Sequence, residues 1–214
     1  MHDPLHPARS EDRHAAATLR RLLLATGLYV VAYLLVSYAD LYTTGLALRQ
    51  PGTVEGNVYA TGADGYSSVK AWGITALGLL FIGGCLVWCL VQSRHVSEPC
   101  LWHPVRSFGK LYVLPWRRHV LDRSPLHMLS FVLAFPLLRL LAVGNNLMIH
   151  ELGTGPIGWL VGVASNHTTP AVGFWLVLGP LFYLLAIGVS PLAAHLIRWY
   201  RHGPVRESVA PSFT

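Results

Sequence analysis

A chain of 214 residues that is 53% hydrophobic and only 12% charged, with a mean hydropathy of +0.45, carries about half the charge of an ordinary soluble domain. That excludes a water-soluble globule, and seven Trp, nine Tyr and seven Phe exclude a disordered chain, which is rich in charge and poor in aromatics. A formal net charge of +6 points to nucleic acid only where the cations cluster on one face or arm, so their placement decides what the charge means.

A helix needs about 20 mostly apolar residues to cross a hydrocarbon core of about 30 Å. Four stretches meet that length: Leu22 to Gly45, Ala71 to Val91, Leu126 to Ile149 and Ala171 to Ile197. The first is too long for a signal-peptide core and lacks a small-x-small cleavage site, so it reads as a permanent anchor. The expected fold is therefore an all-α integral membrane bundle of four transmembrane helices over residues 22–198, with tails at 1–21 and 199–214.

Thirteen of the sixteen Lys and Arg precede the first span, lie between spans two and three, or follow the fourth. The positive-inside rule places that side in the cytoplasm, with both termini there. This predicts a multi-pass protein of the inner (plasma) membrane. The cations are juxtamembrane and divided among three segments, so the basic charge records topology and no nucleic-acid partner is expected.

Along the first span, Tyr33, Ser37, Asp40 and Thr44 fall at i, i+4, i+7 and i+11, one face of a helix. Thr43, Glu55, Asn57 and Lys70 add polar groups at the outer mouth. In the second span Cys85 and Cys89 share a face, and Cys100 follows on the cytoplasmic side. A disulfide framework is excluded by compartment, and a C-x3-C pair without further ligands reads as packing.

The connection 101–121 alternates Leu101, Trp102, Val105, Phe108, Leu111, Tyr112, Val113, Leu114 and Trp116 with Arg106, Lys110, Arg117 and Arg118. Aromatics beside cations suit anionic headgroups at the cytoplasmic face. Pro104 and Pro115 limit any helix here to about ten residues, so a short amphipathic interfacial helix is expected, with a docking surface for a cytoplasmic partner as the alternative.

The third span carries Arg139 close to its midpoint, where a charge costs about 2.5 to 3.5 kcal/mol to insert. Arg139, Val143, Asn146 and His150 repeat the spacing of the first span. At 1.5 Å per residue, Asp40 and Arg139 differ in depth by roughly 8 Å, within an arginine's reach, which predicts an Asp40 to Arg139 ion pair. The expected polar seam comprises Asp40, Thr44, Arg139, Asn145, Asn146 and His150, with Glu55, Asn57, Lys70 and Glu151 at its mouth. Pro136 should free the carbonyl of Val132.

His127 and His195 both fall at the cytoplasmic end, which raises a bis-histidine haem b; a headgroup-level role is the simpler reading, and no cofactor is predicted. Gly153, Gly155 and Gly158 formally match G-x-G-x-x-G, but they follow a transmembrane helix rather than a strand, so the string reads as a turn. Asn166-His-Thr168 is a formal glycosylation sequon, meaningful only in a eukaryotic secretory pathway. His150-Glu151 lacks the second His of a zinc protease. Residues 157–164 are apolar but too short to span, and are expected to dip into the interface or to lie over the seam.

The string Asp40-Leu-Tyr-Thr43, then Glu55-Gly-Asn57 and a Lys70-led second helix, resembles a family of small polytopic bacterial membrane proteins of unknown function with a D-x2-T, E-x-N, K pattern. Val58 follows Asn57 where that family commonly has a proline. The resemblance implies a polytopic bacterial protein and supplies no activity. The residues themselves favour a non-catalytic subunit or assembly factor of a membrane complex, partnered by other membrane subunits or by itself. A small channel or transporter along Asp40 and Arg139 is second, and a membrane enzyme acting from the outer face through His150, Glu151, Asp40 and Glu55 is third.

Overall fold

The computed structural model describes residues 6–53, 61–62, 65–113 and 124–203. In chain order the elements are α1 (His6–Ala47), a two-residue hairpin of β1 (Thr61–Gly62) and β2 (Gly65–Tyr66), α2 (Ser68–Gln92), α3 (Glu98–Trp102), α4 (Pro104–Val113), α5 (Ser124–Leu152), α6 (Pro156–Ser165) and α7 (Pro170–His202). Four helices, within α1, α2, α5 and α7, are long and apolar enough to cross a membrane, and the chain is an all-α, multi-pass membrane protein. Successive long helices run antiparallel, so one end of the bundle gathers the start of α1 and the end of α7, and the other gathers the turn after α1, the β1–β2 hairpin and α6.

The span boundaries widen relative to the apolar runs, because a helix continues past the point where its sequence turns polar. At the start this is pronounced: α1 begins at His6, so helix extends into the stretch 1–21 read as a tail. Ala15, Ala16, Ala17 and Leu19 favour helix strongly and nothing between His6 and Leu22 breaks it beyond Pro7 in the first turn.

The core is lopsided. Tyr29, Tyr33, Leu86, Cys89, Leu90, Leu126, Leu129 and Ile197 are among its buried residues, and most of them sit in the half nearest the termini. The buried residues of α5 end at Ala134, so its last five turns pack through half-buried side chains. α5 is the hub, touching α1, α2 and α7. Pro136, which has no amide hydrogen, leaves the Val132 carbonyl without its helical donor, and Tyr29 Oη donates to that oxygen at 2.8 Å. At Pro191 the local solution differs, with Ser190 Oγ donating to the freed carbonyl of Ile187 at 2.8 Å.

At the terminal end two arginines close helix ends that have run out of internal donors. Arg21 Nη1 donates to the carbonyls of Trp199 (3.2 Å) and Tyr200 (2.6 Å), beside the left-handed Gly203 that ends α7. Arg201 donates to Glu98 Oε1 (2.9 Å), to Val96 O (2.6 Å) and to Ser93 O, and so ties α7 to the turn that follows α2. These contacts place cations where helix C-terminal carbonyls accumulate negative potential.

Within the connection 101–121, α4 supplies the expected helix of ten residues, and residues 114–123 lie outside the described residues. Its Phe108 is fully buried against His127, Phe131 and Tyr183. One face of α4 is therefore packed on protein, in the groove between α5 and α7, while Val105 and Arg106 remain exposed. The apolar segment 157–164 forms α6, which lies along α7.

The turn from α6 to α7 is close enough that a Cβ on Gly173 would fall 2.8 Å from the Ser165 amide nitrogen and 3.0 Å from its Cα. Backbone cannot yield there as a side chain can. Gly173→Ala should lower thermal stability in detergent by roughly 1–3 kcal/mol. Gly83→Ala, where a Cβ meets nothing within 4 Å, should leave stability unchanged or raise it by up to about 1 kcal/mol; circular dichroism melts of the two variants check the contrast.

Candidate functional site

The polar groups buried in the bundle meet around Arg139, adjacent to the midpoint of α5. Its Nη1 donates to Asp40 Oδ2 on α1 at 3.3 Å. Its Nη2 donates to Thr75 Oγ1 on α2 at 3.3 Å, and the guanidinium carbon lies 5.3 Å from the centroid of the Tyr33 ring. Three helices thus converge on one cation. The planar fork of donors suits this arrangement, because two nitrogens serve two helices while the face of the group rests on an aromatic ring.

Tyr33 is itself held. It is fully buried, its Oη donates to the Thr75 carbonyl at 3.4 Å, and its ring stacks on Phe135 of α5. A Cβ on Gly78 would come within 2.9 Å of that hydroxyl, so α2 approaches α1 closely at this level. The Asp40 and Arg139 side chains are only 18% and 16% exposed, which makes each the necessary counter-charge of the other: removing one partner of such a pair leaves an uncompensated charge out of water.

Outward from the ion pair the contacts continue turn by turn. Asn146 Nδ2 donates to Thr44 Oγ1 at 3.0 Å, again joining α5 to α1. Gln50, just past α1, donates through Nε2 to the His150 carbonyl at the last turn of α5. His150 Nε2 lies 3.9 Å from Glu151 Oε1. Asn145 turns the other way, away from α1. Its Oδ1 accepts from the amides of Ile157 (2.9 Å) and Gly158 (3.3 Å), and so caps α6, whose own cap position is Gly155 without a side chain. Gly155 cannot be larger, since a Cβ would sit 2.8 Å from the Asn145 carbonyl oxygen.

Of the residues expected at the mouth, Lys70 lies exposed in the first turn of α2, whose cap is Ser67. Glu55 and Asn57 lie outside the described residues. His127 and His195 occupy different settings: His127 is buried, with Nε2 3.2 Å from Ser107 Oγ and its ring edge-on to Phe108 at 4.5 Å, whereas His195 is exposed on α7. Cys85, Cys89 and Cys100 are free thiols. Among the described residues no three His, Cys, Asp or Glu side chains gather as metal ligands would.

The chain matches no known family model, no curated protein and no solved structure. Its chemistry has to be read from the site alone.

Thr75, Tyr29 and Gln50 belong to this network and do not emerge from charge or spacing on the first and third spans. A signal for Thr75 exists in the sequence, for it carries the sole hydroxyl between Ala71 and Val91. Nothing comparable marks Gln50, which lies in a turn outside every helical period. What the arrangement does chemically is neutralise a charge and satisfy donors between helices. Loss of the Asn145 cap should be local: in Asn145→Ala, the Ile157 and Gly158 amides should exchange with deuterium about tenfold faster, the equivalent of the 1–2 kcal/mol a cap supplies, while the amides of α1 and α2 keep their protection.

Proposed function

We propose that the chain is a non-catalytic integral subunit or assembly factor of a larger complex in the inner membrane, with both termini and the α3–α4 connection on the cytoplasmic side. The observation that carries this reading is that the guanidinium and both asparagines of the seam are engaged by neighbouring helices. Arg139 is engaged by Asp40, Thr75 and Tyr33, Asn146 by Thr44 and Asn145 by α6. Polar groups consumed in this way hold helices together and present little to a substrate.

The surface supports the same role. Leu176 and Leu184 of α7 and Leu23, Leu28, Val31 and Leu35 of α1 are all more than half exposed, long apolar flanks suited to lipid or to the helices of a partner. At the end of the bundle that we assign to the cytoplasm, Arg198 lies over the Trp102 ring at 4.7 Å and Arg106 is exposed, a combination of aromatic and cation suited to anionic headgroups.

A second reading, a small channel or carrier, draws on one residue. Ser37 is fully buried, one turn from Asp40, and its Oγ has no hydrogen-bond partner among the described residues. A water file past Ser37 and Asp40 would satisfy it.

The two readings separate on purification. A subunit should leave the membrane in mild detergent with partners in fixed stoichiometry, and Asp40→Asn should disrupt that assembly while purified chain in liposomes gives no flux. A chain that purifies alone and supports ion flux lost in Asp40→Asn would overturn the subunit reading in favour of the second.

A further inference from the structure

A second stripe runs along α1 and into the turn after it, beside the seam. Tyr38, Tyr42, Gly45 and Arg49 repeat the i, i+4, i+7, i+11 spacing on the adjoining flank. With Ser68 and Trp72 at the start of α2 they line a cleft of about 300 Å³. The rings of Tyr38 and Tyr42 lie 6.4 Å apart and 13° from parallel. Both are well exposed, at 62% and 59%, so this wall opens sideways at the depth of the spans rather than into the bundle.

The cleft is chemically divided along its length. Its inner part is aromatic and aliphatic, and its outer end carries the Arg49 guanidinium and the Ser68 hydroxyl. Tyr38 lies nine residues, about 14 Å at 1.5 Å per residue, from the end of α1 at Ala47, with Arg49 in the turn just beyond, and half of a 30 Å hydrocarbon core is about 15 Å. A cation at headgroup level above an apolar groove one leaflet deep is complementary to a single amphiphile.

We propose that this cleft is a phospholipid site, with the lipid phosphate on Arg49 and Ser68 and one acyl chain laid between the Tyr38–Tyr42 wall and Trp72. Arginine pairs with phosphate through two parallel donors, and the apolar length beneath it distinguishes a lipid from a free phosphate ion. The site is separate from the subunit role and stands or falls without it.

The full chain, stripped of lipid in mild detergent, is titrated with phosphatidylglycerol, dioleoylglycerol and inorganic phosphate and read by native mass spectrometry. One phosphatidylglycerol should be retained per chain, and dioleoylglycerol, which lacks the phosphate, should bind at least about tenfold more weakly, as should phosphatidylglycerol to Arg49→Gln. Gly45→Leu provides an independent arm. A Cβ there meets nothing within 4 Å, so the larger side chain enters the cleft without disturbing backbone, and lipid retention should be lost while the circular dichroism spectrum is kept. Undiminished binding in Gly45→Leu, equal affinity for dioleoylglycerol, or displacement of the lipid by equimolar inorganic phosphate would each overturn the proposal.

Discussion

A guanidinium in the middle of a hydrocarbon layer has to be neutralised and hydrogen-bonded by whatever its neighbours provide, and the packing of this bundle is arranged around that requirement. Arg139 draws Asp40 from α1 and Thr75 from α2 onto one face of α5. Register follows from that meeting point. Once Arg139 reaches outward to Asp40, Thr44, one turn beyond Asp40, meets Asn146, two turns beyond Arg139, and Gln50 reaches the last turn of α5. The apolar core has no such power to select register, because leucine against leucine packs comparably at several offsets and lipid tails compete for the same surfaces.

The two halves of the bundle are held by different forces. Near the termini, Tyr29, Leu86, Leu90, Leu126, Leu129 and Ile197 interdigitate, with Arg21 and Arg201 locking the ends of α7 and α2. Beyond Ala134 no residue of α5 is buried, and polar contacts there join it to α1 and α6 alongside half-buried apolar side chains. Pro136 stands at the boundary. Its missing amide leaves the Val132 carbonyl without a helical donor, and Tyr29 takes up that carbonyl. A half bundle without buried residues on α5 is the part most able to accept a neighbouring helix, as the proposed subunit role would require.

Much of this was legible in the residues, for identifiable reasons. The spans are marked by length and apolarity, which a bilayer demands of any crossing helix. Asp40 and Arg139 stand out because charge at that depth is rare, and depth arithmetic alone brings them within reach. The parts that were not legible depend on side-chain direction. Asn145 and Asn146 are adjacent, and only the fold assigns one to α6 and the other to Thr44. Phe108 reads as a membrane-facing aromatic among cations, yet α4 rotates it into the groove beside His127. The helical start at His6 was hidden by charge, since a polar composition masks a good helix former when the eye follows hydropathy.

The claim on which the rest depends is that Asp40 and Arg139 act as a pair. A double-mutant cycle with Asp40→Asn, Arg139→Gln and both together, unfolded reversibly in bicelles, measures it directly. Each single variant should lose about 2–3 kcal/mol, and the double should lose less than their sum by more than about 1 kcal/mol. Additivity within about 0.5 kcal/mol would show that the two charges do not sense one another, and would contradict the account.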